Sequence, residues 1–109
     1  MSRYQVKQGG RVGAICGENE AKEVEFFGYG VYEGRKPPPP GVKFMGIECS
    51  EVPGYEAVSI KLDSGKVVFG CECWWSSEEE VRKLLAGYAV EGKKIVEVDI
   101  ESKRSQYAS

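Results

Sequence analysis

The stretch Ser59-Ile-Lys-Leu62, Asp63-Ser64-Gly65, Lys66-Val-Val-Phe-Gly-Cys-Glu-Cys-Trp-Trp75 constrains the fold more than any other. Two β-rich arms flank a short link that puts Gly where a left-handed residue is needed, which specifies an antiparallel hairpin. Alternation along the second arm sets Val67, Phe69, Cys71, Cys73 and Trp75 on one face, which reads as core. Val68, Gly70, Glu72 and Trp74 fall on the other.

The remaining segments surround this hairpin. Arg11 to Cys16 reads as a first strand ending in the polar turn Gly17-Glu-Asn-Glu20, and Glu23 to Glu33 as a second, aromatic and β-branched strand closed by Gly34. Simple alternation in the second strand groups Val24, Phe26 and Tyr32 with Gly28 and Gly30, and Phe27, Tyr29 and Val31 opposite them. Two glycines on one strand face predict a bulge, a sharp coil, or close approach of another backbone or a ligand. Pro37 to Pro40 must leave the sheet, because proline donates no ladder hydrogen bond. Val42 to Ser50 reads as a short helix or an irregular packed segment. Ser77-Glu-Glu-Glu80 has the capping-box pattern, and Val81, Leu84, Leu85 and Tyr88 follow at helical spacing, so an amphipathic helix is expected over Ser77–Gly87. Lys94 to Ile100 alternates as a half-buried strand, and residues 101–109 read as a fraying polar tail, with residues 1–9 also flexible. The order contains no βαβ unit. The expected class is α+β: a single domain with a strongly bent antiparallel sheet or partly open barrel of about five strands, the helix packed on it.

Composition narrows function. At 109 residues the chain supports one modest core. It has no His, so His-dependent nucleophile systems and His-bearing metal sites are excluded within the chain. No carboxylate pair has spacing that calls for acid-base chemistry, and Asp63 is explained as a turn residue. The reading is of a non-enzyme. Fifteen Lys and Arg against seventeen Asp and Glu leave a net charge of −2, with no basic footprint for duplex nucleic acid. The first ten residues contain no apolar leader core, and no run of apolar residues is long enough to span a bilayer, so a cytoplasmic protein with reduced cysteines is expected.

Two segments together, Phe27-Gly-Tyr-Gly-Val-Tyr-Glu-Gly34 and Ile60-Lys-Leu-Asp-Ser-Gly-Lys-Val-Val-Phe-Gly-Cys-Glu-Cys-Trp-Trp75 before an acidic helix start, resemble a family of small uncharacterised bacteriophage and mobile-element proteins. The similarity spans about residues 10–100. It implies a helical segment between Gly41 and Glu56, where this chain instead has Pro53-Gly54 following the tetraproline Pro37 to Pro40. It also implies a host-cytoplasm accessory protein that acts by binding rather than by turnover.

Several motifs have simpler readings. Cys71-x-Cys73 holds two sulfurs side by side on a strand, whereas zinc knuckles converge through two to four intervening residues; with Cys16 and Cys49 isolated, small buried side chains are the plain explanation. Gly28-x-Gly30-x-x-x-Gly34 lacks the spacing and the following helix of a phosphate loop. The tetraproline is a surface spacer. The aromatic surplus is the functional signal, since so small a domain cannot bury every ring and Tyr and Trp are good anchors. The expected activity is inhibition or capture of a host protein, as a small homo-oligomer and without cofactor, through an aromatic-rich sheet surface carrying Tyr29, Tyr32, Arg35, Glu72 and Trp74. Two alternatives stand beside it. One is a nucleotide-signal binder with Arg35 or Lys36 at phosphate and an aromatic on the base. The other is a structural metal protein using Cys71 and Cys73.

Overall fold

The computed structural model describes residues 6–108, and the expectation of a flexible N-terminus falls outside it for residues 1–5. Strands β1 (Arg11–Glu18), β2 (Val24–Lys36), β3 (Lys43–Phe44), β4 (Ile47–Glu48), β5 (Ala57–Leu62), β6 (Val67–Phe69), β7 (Trp74–Ser77) and β8 (Ile95–Glu97) are joined by helices α1 (Glu78–Val90) and α2 (Ile100–Ala108). The class is α+β, as expected.

The main sheet runs β6-β5-β2-β1-β7, antiparallel throughout, with β8 pairing parallel to Val24–Phe26 of β2. Only residues 70–73 connect β6 to β7, although these two strands are the ends of that order. Across a flat sheet the ends of five strands lie about 19 Å apart. A link of which three residues form a 3-10 turn reaches about 13 Å. The sheet therefore curls until its edges approach, and it remains open.

That turn, Gly70–Glu72, breaks the long second arm read from the sequence. Val68 and Phe69 are consecutive and both buried, Trp75 is buried, and Trp74 is exposed. Cys71 and Cys73 consequently diverge, Cys71 against a cluster with Val42, Cys49, Ala57 and Phe69, and Cys73 against the main core. The parallel-sulfur picture is replaced by two thiols in different environments.

The concave interior collects residues from every strand of the main order: Val12, Ala14, Phe27, Ile60, Leu62, Val68 and Trp75, with Ile100 of α2. On the convex face α1 buries Val81 and Leu85, with Leu84 and Tyr88 partly buried, against Ile15 and Val24. The Ser77 hydroxyl accepts the Glu80 N–H at 3.2 Å, so the N-terminal cap is the expected one. The helix passes through Gly87 and ends at Val90, and Gly92 beyond it, at φ 86°, turns the chain so that the Lys93 N–H reaches the Tyr88 carbonyl at 3.0 Å.

The two strand glycines do different work. Gly28, at φ 129°, sits where β2 slips against β1, and the extra residue changes the alternation: Phe26 and Tyr29 both pack under α1, whereas Phe27 and Tyr32 point inward. Simple alternation instead groups Phe26 with Tyr32 and Phe27 with Tyr29. At Gly30 the backbones of β2 and β5 meet. A Cβ there would overlap the Lys61 carbonyl oxygen and lie 2.7 Å from Leu62 Cα.

Residues 101–108, read as a fraying tail, belong to α2. The Asp99 carboxylate accepts the Ser102 N–H at 3.1 Å and caps the helix. The last strand correspondingly shortens to Ile95–Glu97.

Candidate functional site

The segment Val42 to Ser50 is neither a helix nor irregular. It is the hairpin β3–β4, followed by a 3-10 turn at Cys49–Glu51. Met45 and Gly46 have φ of 51° and 81°, the left-handed pair that a two-residue hairpin turn needs. Val42 and Cys49 are buried at the hairpin base and joined by the Cys49 N–H to Val42 carbonyl bond of 2.9 Å. The Glu48 carboxylate accepts the Gly41 N–H at 2.9 Å and the Ser50 hydroxyl at 2.9 Å, and these bonds hold it below the usual carboxylate range. Beyond this clamped base the hairpin projects Phe44, Met45 and Ile47 into solvent, 49%, 85% and 57% exposed. No comparable run of exposed large apolar residues occurs elsewhere among the described residues.

Between the hairpin and α2 lies a cleft of about 410 Å³. Core residues Phe27 and Ile100 form its base, and Phe44 and Met45 line the hairpin side together with Lys43. Cys71, Glu72 and Arg104 line the opposite side. Its size falls within the usual range for a ligand site, and its mainly apolar lining with a few charged groups has the usual make-up.

The charged wall is tightly built. Glu72 accepts Arg104 Nε and Nη2, both at 2.7 Å, and the Phe69 N–H at 3.0 Å. Arg104 Nη2 also donates to the Val67 carbonyl at 3.1 Å. The Glu72 side chain is only 7% exposed, so the pair is largely desolvated and must stay paired. Hydrogen bonding to Glu72 reinforces the guanidinium charge of Arg104. Burial pushes the Cys71 thiol up to about 11, against a hydrogen bond from Tyr55 that favours the thiolate.

Of the residues expected to form a binding face, only Glu72 lines this cleft. Tyr29 is packed against Phe26 with ring centroids 4.9 Å apart, and the Arg82 guanidinium lies 4.6 Å from its ring centre. Tyr32 stacks on Trp75 at 5.5 Å in the interior. Arg35 is exposed and donates to the Glu56 carbonyl at 3.1 Å, while Lys36 pairs with Glu33 at 3.5 Å. Trp74 remains 45% exposed on β7, beside Ile15 of β1. The expected set is thus distributed over the convex face, the interior, the end of β2 and the cleft. Sequence reasoning missed Phe44, Met45 and Arg104. Gly46 between Phe44-Met45 and Ile47 was the available hairpin signal, and Asp99 before Ser102 the available helix start.

Pro38 is buried, so the tetraproline is not a free polyproline strand. Among the described residues no group of three or more Cys, Asp and Glu is arranged to hold a metal ion, and no helix is long and apolar enough to cross a membrane. Comparison with protein-family models, with curated proteins and with solved structures finds no match.

Proposed function

We propose that this chain is a non-catalytic binding module that captures a partner protein through the cleft beneath the β3–β4 hairpin. The resemblance of Phe27–Gly34 and Ile60–Trp75 to small bacteriophage proteins supports a host protein as that partner. One observation carries the reading. A hairpin clamped at its base presents three large apolar side chains to solvent above a preformed, mostly apolar cavity. Exposed apolar area of this kind costs solubility and marks interaction sites. The aromatic sheet face expected from the sequence is a poorer candidate, because Tyr29 and Tyr32 are committed to internal packing.

The test is affinity capture from a bacterial host lysate by wild type, by the double variant Phe44→Ala/Met45→Ala, and by Trp74→Ala, with circular dichroism confirming that each is folded. Both hairpin side chains are exposed, so their truncation leaves the core intact. The expected outcome is loss of the captured protein with the hairpin variant and retention with Trp74→Ala. Equal capture by the folded hairpin variant would overturn the assignment to the cleft, and loss with Trp74→Ala would return it to the sheet.

A further inference from the structure

Resting on that reading, we propose that the cleft receives a peptide segment of its partner in which a large apolar side chain lies next to a carboxylate. The apolar group sits against Phe27, Phe44 and Ile100, and the carboxylate meets Arg104 and Lys43.

The hydrogen-bond inventory of the wall gives the charge preference. Both Glu72 oxygens are occupied by Arg104 and the Phe69 N–H. Glu48, which faces Lys43 across the hairpin, is turned to Gly41 and Ser50. Glu101, one turn before Arg104, pairs with Lys66 at 3.6 Å. The acidic groups around the cleft are therefore engaged, whereas two cationic groups keep donors to spare. Arg104 uses Nε and Nη2, and among the described residues neither its Nη1 nor Lys43 Nζ has a hydrogen-bond or ion-pair partner, although Lys43 is felt electrostatically by Glu48. A guanidinium edge beside an ammonium, next to low-dielectric walls, suits a carboxylate, because charge-assisted bonds are the strong ones. The charged residues lining the cleft are the cationic Lys43 and Arg104 and the single carboxylate of Glu72, so the space favours an entering carboxylate over a basic group.

The apolar surface indicates a macromolecular ligand. Met45 and Ile47 lie on the hairpin rim and remain mostly exposed, so the apolar area continues outside the cavity, further than a small molecule filling the cavity would cover. An extended peptide places one side chain in the cleft and lays its neighbours along the rim.

The test titrates the labelled full chain with three blocked pentapeptides, acetyl-Gly-Glu-Phe-Leu-Gly-amide and its Glu→Gln and Glu→Lys analogues, followed by backbone and side-chain NMR shifts. The Glu peptide is expected to perturb residues 43–46, 71–72 and 100–104 and to bind about tenfold more tightly than the Gln peptide. That advantage should shrink between about 50 and about 500 mM salt. Lys43→Gln, a change outside the core, should reduce the Glu peptide's affinity at least about threefold while leaving the Gln peptide unchanged. Equal affinities of the Glu and Gln peptides at these residues would overturn the charge preference and leave the cleft as the binding site. Perturbation centred on Trp74, or none by any peptide, would remove the cleft reading and this inference together.

Discussion

Gly30 and Gly87 show how the same residue type has opposite consequences at two positions. At Gly30 a methyl group would meet the backbone of β5, which cannot move without breaking the ladder. Gly30→Ala is expected to destabilise by about 3 kcal/mol. Gly87 lies within α1 with open space where a Cβ would go, so Gly87→Ala is expected to stabilise by about 0.5–1 kcal/mol. Urea unfolding of both variants checks the pair, and similar effects at the two sites would contradict the packing described. The close approach at Gly30 was among the readings the sequence offered for its paired strand glycines. The continuation of α1 through Gly87 was not legible there, because a glycine after an apolar stripe carries the same local signal whether the helix ends or continues. The inward turn of Tyr32 was hidden for a related reason: one extra residue at Gly28 reverses every later assignment of face.

At the level of elements, the two helices are held by different physics. Helix α1 docks through an apolar stripe, which is why its position was readable from periodicity. Helix α2 has almost no amphipathic pattern, and Ile100 is its buried apolar anchor. Lys103 pairs with Glu25 at 2.6 Å with both side chains 14% exposed, Arg104 pairs with Glu72, and Lys66 pairs with Asp99 just before the helix. Such a helix is invisible to hydrophobic patterning, and the alternation from Val96 to Ile100 favoured a longer strand instead. It should be sensitive to salt and acid. The hydrogen bond from Lys103 lowers the Glu25 carboxyl below its ordinary range, and that from Lys66 does the same to Asp99. With folded values below the unfolded ones, their contribution is complete above the unfolded pKa and disappears as pH falls through the folded value, a window below about pH 4. Hydrogen exchange is expected to show the amides of residues 102–106 opening ahead of β1 and β2 in that window, and at neutral pH in about 1 M salt. Exchange of α2 in step with the strands under both conditions would show that it docks by apolar contact instead.

For the molecule as a whole, the curl of the sheet decides both stability and site. Every strand of the main order, together with α2, contributes to one interior cluster, and the two smaller clusters are built on β1, β2, β5 and β6 of the same sheet, so none of the three can open without disturbing the sheet they share. Unfolding should then be a single transition. In a Trp74→Phe variant, fluorescence of the buried Trp75 and far-ultraviolet circular dichroism are expected to give coincident midpoints in urea. Separate midpoints would reveal an independently stable part. The curl also brings the end of β6 and the Gly70–Glu72 turn next to α2 and the β3–β4 hairpin, creating the cleft from residues 27, 43–46, 71–72, 100 and 104. The amino-acid sequence by itself determined the α+β class, the β5–β6 hairpin, the amphipathic helix and the absence of histidine chemistry, because each depends on neighbouring residues or on composition. Tertiary structure alone decided which aromatics are buried, that a polar tail becomes a helix held by ion pairs, and that Glu72 meets Arg104. Those outcomes depend on the approach of chain segments tens of residues apart, which no local pattern encodes.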